Sequence, residues 1–367
     1  MIPFLTLTPG EDGPVVESAM RRVTERGWFV LGPELESFEQ EFASASGAAH
    51  AIGVGNGTDA LAIALRTVGV RAGDEVITSP LTAAYTALAI IMAGARPVFA
   101  DIDPVRLTMD PAAAAAAVTS RTSAIVPVHI YGQPADMPSL CAVAARHDLA
   151  LVEDCCQAHL ATCGGRPVGS FGQAAAYSFY PTKNLAALGD AGAITVDDGA
   201  LAARARRLRN GGQADRHHHV ELGVNSRLDE IQAAVLRERL KRLPRWTAVR
   251  RALAREYRAL LGEQGIVRVP REIDAGHVYH LFPVRSDARD RLQRHLREAG
   301  IETLIHYPVA VPRQPAFADE RPAPCPVADR VCAEVLSLPL HPSLDASTVG
   351  VVSAAVQAFS IEPTVES

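Results

Sequence analysis

Two side chains carry the first chemical signal, Lys183 and Asp154. Lys183 lies in Tyr177-Ser178-Phe179-Tyr180-Pro181-Thr182-Lys183-Asn184-Leu185, an apolar, turn-rich run in which a solvated charge is out of place. Loss of hydration disfavours the ammonium form, so the amine becomes a nucleophile toward a carbonyl, as a Schiff-base lysine must be. Asp154 closes Leu149-Ala150-Leu151-Val152-Glu153-Asp154, a short apolar run that predicts a buried strand delivering a carboxylate at its C-terminal end. A carboxylate there can keep a pyridinium nitrogen protonated, and the pair suits pyridoxal 5'-phosphate. Alone, the lysine reads as a surface residue and the aspartate as a cap; together they read as chemistry.

A third element, Gly53-Val54-Gly55-Asn56-Gly57-Thr58-Asp59, leads directly into Ala60-Leu61-Ala62-Ile63-Ala64-Leu65. Glycines let backbone approach an anion, Thr58 is expected to cap the helix that follows, and a helix N-terminus favours negative charge. The loop lacks the Gly-Lys-Ser/Thr ending of a Walker loop and the Rossmann glycine spacing.

The elements that must position these groups follow from periodicity. Helices are predicted near 14–26 and 34–45, after which strand and helix alternate. Val76-Ile77-Thr78 precedes a helix near 83–92, Pro97-Val98-Phe99-Ala100 one near 110–117, and Ala124-Ile125-Val126-Pro127-Val128 one near 138–147. This alternation predicts an α/β fold, a mostly parallel sheet covered on both faces, with ligands at the carboxyl ends of its strands. Apolar residues from Leu228 to Leu243 recur at helical spacing, a further helix is expected over 247–262, and Pro244 between them marks a hinge. The expected domains are 1–243, large and cofactor-binding with an N-terminal arm, and 244–367, a smaller α+β domain. In the latter, His277-Val278-Tyr279-His280-Leu281-Phe282-Pro283-Val284 predicts a strand and Asp287 to Arg291 opens a helix, while Glu362 to Ser367 is expected to fray.

The order of motifs resembles the sugar aminotransferases of the DegT/DnrJ/EryC1/StrS family, which have the aspartate-aminotransferase fold (fold type I). The likeness covers nearly the whole chain. It runs through Gly32-Pro33-Glu34-Leu35-Glu36, Asn56-Gly57-Thr58-Asp59, Asp101-Ile102-Asp103, His129-Ile130-Tyr131-Gly132-Gln133-Pro134, Glu153-Asp154-Cys155-Cys156-Gln157-Ala158-His159 and the lysine segment. Gly223-Val224-Asn225-Ser226-Arg227-Leu228-Asp229, His306-Tyr307-Pro308 and Ser337-Leu338-Pro339-Leu340-His341-Pro342 continue it. The resemblance implies that Lys183 and Asp154 form the catalytic pair, that Gln157 approaches the cofactor's 3'-oxygen, and that Gly57, Thr58 and Ser178 hold its phosphate. Asn225 would reach across from a second subunit, so a homodimer with shared active sites is implied. His306, Tyr307, Arg227 and His219 would face the substrate, His219 through the family's habit of placing a histidine before the Asn-x-Arg motif. Where many relatives carry an aromatic residue right after Thr82, this chain has Ala83, and Tyr85 is the aromatic left to meet the cofactor ring. Cys155-Cys156 stands where a small residue such as alanine is usual, and both cysteines are read as packed side chains.

The resemblance further implies transfer of an amino group from an amino acid, glutamate first, to a nucleotide-linked keto sugar. Tyr180-Pro181-Thr182-Lys183-Asn184-Leu185 followed by Leu188-Gly189-Asp190-Ala191-Gly192-Ala193 is similar to the segment in enzymes acting on 3-keto-6-deoxyhexoses, as in antibiotic amino-sugar biosynthesis. A 4-keto sugar or a cyclitol as acceptor, or a catalytically silent regulatory relative, are the alternatives. A sugar 3-dehydrase would carry histidine in place of Lys183.

Composition bounds the rest. A net charge of -5 gives no basic surface for nucleic acid, and the arginines from Arg204 to Arg209 alternate with alanine and leucine as on a solvated helix face. No apolar run reaches a membrane span and Met1-Ile2-Pro3-Phe4-Leu5 is not a signal peptide, so a cytoplasmic protein without membrane partners is expected. The six cysteines include no Cys-x-x-Cys pair and predict no disulfide framework. His217-His218-His219 cannot all face one ion from a regular element, so a polar loop and no metal are expected.

Overall fold

The computed structural model describes residues 1–8, 10–320 and 322–360, so the expected fraying of Glu362 to Ser367 lies outside the described residues. Seven strands build the central sheet: β1 (His50–Val54), β2 (Glu75–Thr78), β3 (Arg96–Phe99), β4 (Thr122–Val126), β5 (Ala150–Asp154), β6 (Ala174–Ser178) and β7 (Gly192–Val196). Their spatial order is β1-β7-β6-β5-β4-β2-β3. Only β7 runs against its neighbours, β1 and β6. The carboxyl ends of the other six therefore share one edge, where the chain leaves β1 for Asn56, β5 at Asp154 and β6 at Ser178.

Burial on both faces explains why these strands read as continuous apolar runs. On one face, Phe38 and Phe42 of helix Pro33–Ser46 meet Tyr177 and Phe179, with the Phe42 and Tyr177 rings edge-on at 5.0 Å. On the other, helix Gly57–Thr67 is buried through Ala60, Leu61, Ala62, Ile63, Ala64 and Leu65, against Ala174 and Ala176 of β6, whose small side chains let it approach.

Helices Gly13–Arg26, Tyr85–Met92, Pro111–Ala116 and Met137–His147 fall on predicted stretches. Three details differ. The expected strand over 277–284 begins its ladder only at Phe282, pairing Phe282–Arg285 with Val335–Leu338. Before that, Tyr279 turns at φ 48°, and the amides of Val278 and Leu281 bond to the carbonyls of Gly132 and Tyr131. Pro244 is the second residue of helix Leu243–Leu261, where no amide is needed, so it opens the helix instead of preceding it. The preceding helix is Glu230–Leu240, because Asp229 is extended, although Leu228 is buried all the same. His218 and His219 lie exposed in a small hairpin with Gln213–Asp215.

The C-terminal elements enclose an apolar cluster of their own, including Tyr257, Phe282, Leu292, Leu336 and Val352. Ile2 bridges to Ile301, so the N-terminal arm packs on this part of the chain. Among the described residues, no helix is long and apolar enough to cross a membrane.

Candidate active site

The helix after β1 is capped by Asn56 rather than Thr58: the Asn56 side chain accepts from the Asp59 amide at 2.8 Å. Asp59 also accepts from Ser226 at 2.6 Å, and Ser226 in turn accepts from the Gly55 amide at 2.9 Å, which fixes the loop. Thr58 falls one residue inside the helix. At Gly57 an added Cβ would stand 2.6 Å from Cβ of Ser178 and 3.1 Å from Sγ of Cys156. At Gly192 it would meet the Asn56 carbonyl oxygen at 2.4 Å. Glycine at these two positions lets the positive end of the helix close on the end of β6, bringing Gly57, Ser178 and Cys156 together.

Asp154, at the end of β5, is 5% exposed. Thr86 donates to its Oδ2 at 2.9 Å and the Cys156 amide donates to Oδ1 at 3.1 Å, while the Thr82 and Thr86 hydroxyls meet at 3.0 Å. The two threonines were legible only as spacing, four residues apart at a helix start, and sequence reasoning missed them.

Lys183 follows β6 on a turn closed by its amide bonding to the Tyr180 carbonyl at 2.8 Å. Its side chain keeps a small opening to solvent, yet its amine lies deep enough that loss of hydration is the dominant influence, lowering its pKa below the usual lysine range. The Cys156 thiol and the Asp154 carboxylate pull in the opposite sense, but among the described residues no acid forms an ion pair with the amine. Three histidines feel its charge. Burial lowers His159 to about 3 and His306 to about 4, and takes His280 well below its ordinary value, with Lys183 adding to each. The amine thus stands among neutral imidazoles, one of them anchored by a 2.8 Å bond from Nε2 of His159 to the Ser178 carbonyl.

Gln157 accepts from the Tyr131 amide at 2.7 Å and donates to the Tyr307 hydroxyl at 3.1 Å. Tyr131, with φ 60°, gives its own hydroxyl to the His306 carbonyl. This network ties the ends of β4 and β5 to the His306-Tyr307 segment. Tyr85, the first residue of helix Tyr85–Met92, is 65% exposed and close enough to Tyr307 to influence its hydroxyl. Asn225, Arg227 and His219 are not brought to Lys183 within this chain. Asn225 is exposed and bridges to Asn210, Arg227 donates to the Asn210 side chain at 3.3 Å, and His219 bonds to the Gly211 carbonyl at 2.7 Å.

A buried group of His129, Glu153 and Cys155 has the composition of a metal site. Its lone pairs are already committed: Glu153 accepts from His129 and from the amides of Gly169, Phe171 and Gly172, and Nδ1 of His129 accepts from the Ala135 amide. It braces the loop after β5.

An amine without an acidic partner among the described residues, a buried carboxylate, and a helix N-terminus pressed on a serine, all at one sheet edge, fit a pyridine ring bearing an aldehyde and a phosphate. They would hold the aldehyde, the ring nitrogen and the phosphate respectively. Fold and site together define a pyridoxal-phosphate-dependent aminotransferase. The family model of the DegT/DnrJ/EryC1/StrS aminotransferase family matches residues 13–357, and the chain belongs to that family. It is 47% identical to the erythromycin biosynthesis sensory transduction protein EryC1 of Saccharopolyspora erythraea, over 97% of this chain and 99% of that one. It is 46% identical to dTDP-3-amino-3,4,6-trideoxy-alpha-D-glucose transaminase of Streptomyces venezuelae, over 94% and 92% of the two chains. The crystal structure of S. venezuelae DesV in complex with a ketimine intermediate superposes with a TM-score of 0.94 at 45% identity, covering 97% of each chain.

Proposed function

We propose that this enzyme transfers an amino group from glutamate to the keto carbon of a nucleotide-linked 3-keto-6-deoxyhexose. The observation that carries this reading is the 46% identity, along almost the whole length, to a transaminase named for a dTDP-linked 3-amino sugar. The lysine segment, Tyr180 to Leu185 and Leu188 to Ala193, supports the same regiochemistry.

Pyridoxal phosphate, once bound, supplies the electron sink that makes the proton beside the donor nitrogen removable. Lys183 would hold the cofactor's aldehyde, and its unprotonated Nζ would be the base that accepts the proton from the donor's α-carbon. Its desolvation favours the unprotonated form that this task needs. Asp154, fixed by Thr86 and the Cys156 amide, holds a proton on the ring nitrogen. Gly57, Thr58 and Ser178 take the phosphate, Gln157 the 3'-oxygen, and Tyr85 the ring. His219 and Asn225 are exposed and Arg227 is half-buried beside Asn210, which suits their reaching the site of a second copy in a homodimer. His306 and Tyr307 face the sugar. The chain divides at 243/244, where helix Leu243–Leu261 begins, and we place the enzyme in the cytoplasm, in an antibiotic amino-sugar pathway.

Incubation of the enzyme with pyridoxal phosphate, glutamate and a panel of 3-keto and 4-keto nucleotide sugars, with mass detection, tests the proposal. An amino product from 3-keto acceptors, with ping-pong kinetics, is expected; amination of 4-keto sugars alone overturns it.

A further inference from the structure

The turn that carries Lys183 is held differently at its two limbs. It is closed where the Ala187 amide bonds to the Phe179 carbonyl at 2.7 Å. Its returning limb is fixed by the buried Arg239, whose Nη1 donates to the Ala186 carbonyl at 2.7 Å and whose Nε donates to Asp12 at 2.7 Å. The limb that carries the lysine is fixed by the next residue. Asn184 is 5% exposed, its Nδ2 donates to the Val278 carbonyl at 3.0 Å, and its Oδ1 lies 3.4 Å from Nδ1 of His280. Among the described residues, no other side chain from Tyr180 to Ala187 hydrogen-bonds to a different element.

The partner segment is itself fully committed. Residues 277–281 lie outside any strand, so each buried backbone group there needs a partner of its own. Nε of Arg251 takes the His277 carbonyl at 2.9 Å, and Nη1 of the buried Arg250 takes those of Tyr279 at 3.2 Å and His280 at 3.3 Å. The Val278 carbonyl is left for Asn184. Because Nδ2 must meet that carbonyl, Oδ1 is free to accept from Nδ1 of His280, a ring that burial keeps neutral.

The same segment also fixes Gln157. The Val278 and Leu281 amides bond to the carbonyls of Gly132 and Tyr131, and the Tyr131 amide donates to Gln157 at 2.7 Å. The lysine turn and the Gln157 side chain are thus both referred to residues 277–281. On the reading above, Lys183 and Gln157 take neighbouring substituents of one ring, the aldehyde and the 3'-oxygen. Their relative placement therefore decides whether amine and ring meet in register, and a misplacement of about 1 Å costs roughly 10²-fold in rate.

We propose that Asn184 is a positioning residue for Lys183: by tying the lysine turn to Val278, it sets the amine in register with Gln157 across the cofactor ring. The inference rests on the aminotransferase reading above. Asn184 acts here through the turn and not through contact with the reacting atoms.

Asn184→Leu keeps the branched shape and removes both hydrogen bonds. The readout is the pH midpoint of the bound cofactor's visible absorbance in the pyridoxal-phosphate-loaded enzyme, which reports how the lysine nitrogen is held against the ring. Pyridoxal phosphate with free butylamine in the same buffer is the reference. With the lysine no longer held in register, the midpoint is expected to move toward that reference by about half a unit or more, and kcat to fall on the order of tenfold. A folded variant that keeps the wild-type midpoint overturns the proposal whether or not its kcat or Tm falls, because a packing contact alone would lower those. Asn184→Ser is too short to reach the Val278 carbonyl and crowds nothing, and the same direction of shift is expected of it. It decides the matter if Asn184→Leu does not fold, an unmoved midpoint being contrary. A wild-type enzyme that gains no visible absorbance with pyridoxal phosphate, or that glutamate never converts to its amino form, contradicts the aminotransferase reading itself. A normal wild type beside unshifted variants contradicts only the role of Asn184.

Discussion

The Thr86 hydroxyl donates to Oδ2 of Asp154 at 2.9 Å, so the carboxylate at the end of β5 is aimed by a helix that belongs to a different strand connection. Thr86→Val keeps the shape and removes the donor from a buried carboxylate. It is expected to cost about 1–2 kcal/mol of stability and to weaken pyridoxal phosphate binding. Urea denaturation and cofactor titration check both; unchanged cofactor affinity contradicts the role given to the contact.

Asp154→Asn preserves size and can still accept from Thr86, but it carries no charge to hold a proton on the ring nitrogen. Transamination is expected to fall roughly 10²- to 10³-fold with little change in melting temperature. A comparison of kcat with Tm separates the two effects.

Gly57→Ala puts a methyl 2.6 Å from Cβ of Ser178. The helix start must retreat from β6, at a cost of about 1–3 kcal/mol. Because that retreat opens the phosphate cradle, cofactor affinity is expected to drop more than stability does. Parallel measurements of the apoenzyme's Tm and the dissociation constant of pyridoxal phosphate distinguish a damaged cradle from a damaged fold.

Acid should destabilise the protein through its buried histidines. His306 is lowered from 6.5 to about 4 and His159 from 6.5 to about 3. The unfolded chain therefore binds protons below pH 6.5 that the folded chain refuses. The stability is complete above pH 6.5 and is lost as pH falls toward 4 for His306 and toward 3 for His159, at about 1.4 kcal/mol per pH unit for each. His306→Gln is expected to flatten the slope of unfolding free energy between pH 6 and pH 4.5 by about that amount per unit; an unaltered slope contradicts a buried, neutral His306.

How much of this was legible in the sequence follows from the range of each interaction. Lys183, Asp154 and the glycine loop announce themselves locally, because an apolar run that ends in a charge or a glycine has few other uses. The choice of Asn56 over Thr58 as cap was not legible, since both are good caps and the decision rests on Asp59 and Ser226, the latter distant in sequence. The early end of the strand before Phe282 was hidden for the same reason. Residues 277–281 have strand composition, but their backbone groups are claimed by Gly132, Tyr131 and Arg250. Arg250 itself looks like one more arginine on an amphipathic helix until the fold buries it.

The most direct measurement uses the scarcity of lysine: the chain has only Lys183 and Lys241, and Lys241 is exposed and paired with Glu238. Borohydride reduction of the enzyme loaded with pyridoxal phosphate, followed by peptide mass mapping, fixes the cofactor to whichever amine held it. The pyridoxyl mass should appear on the peptide containing Lys183, and Lys183→Ala should lose both the adduct and the transamination. An adduct confined to Lys241, or a Lys183→Ala enzyme that still transaminates at the wild-type rate, would contradict the account.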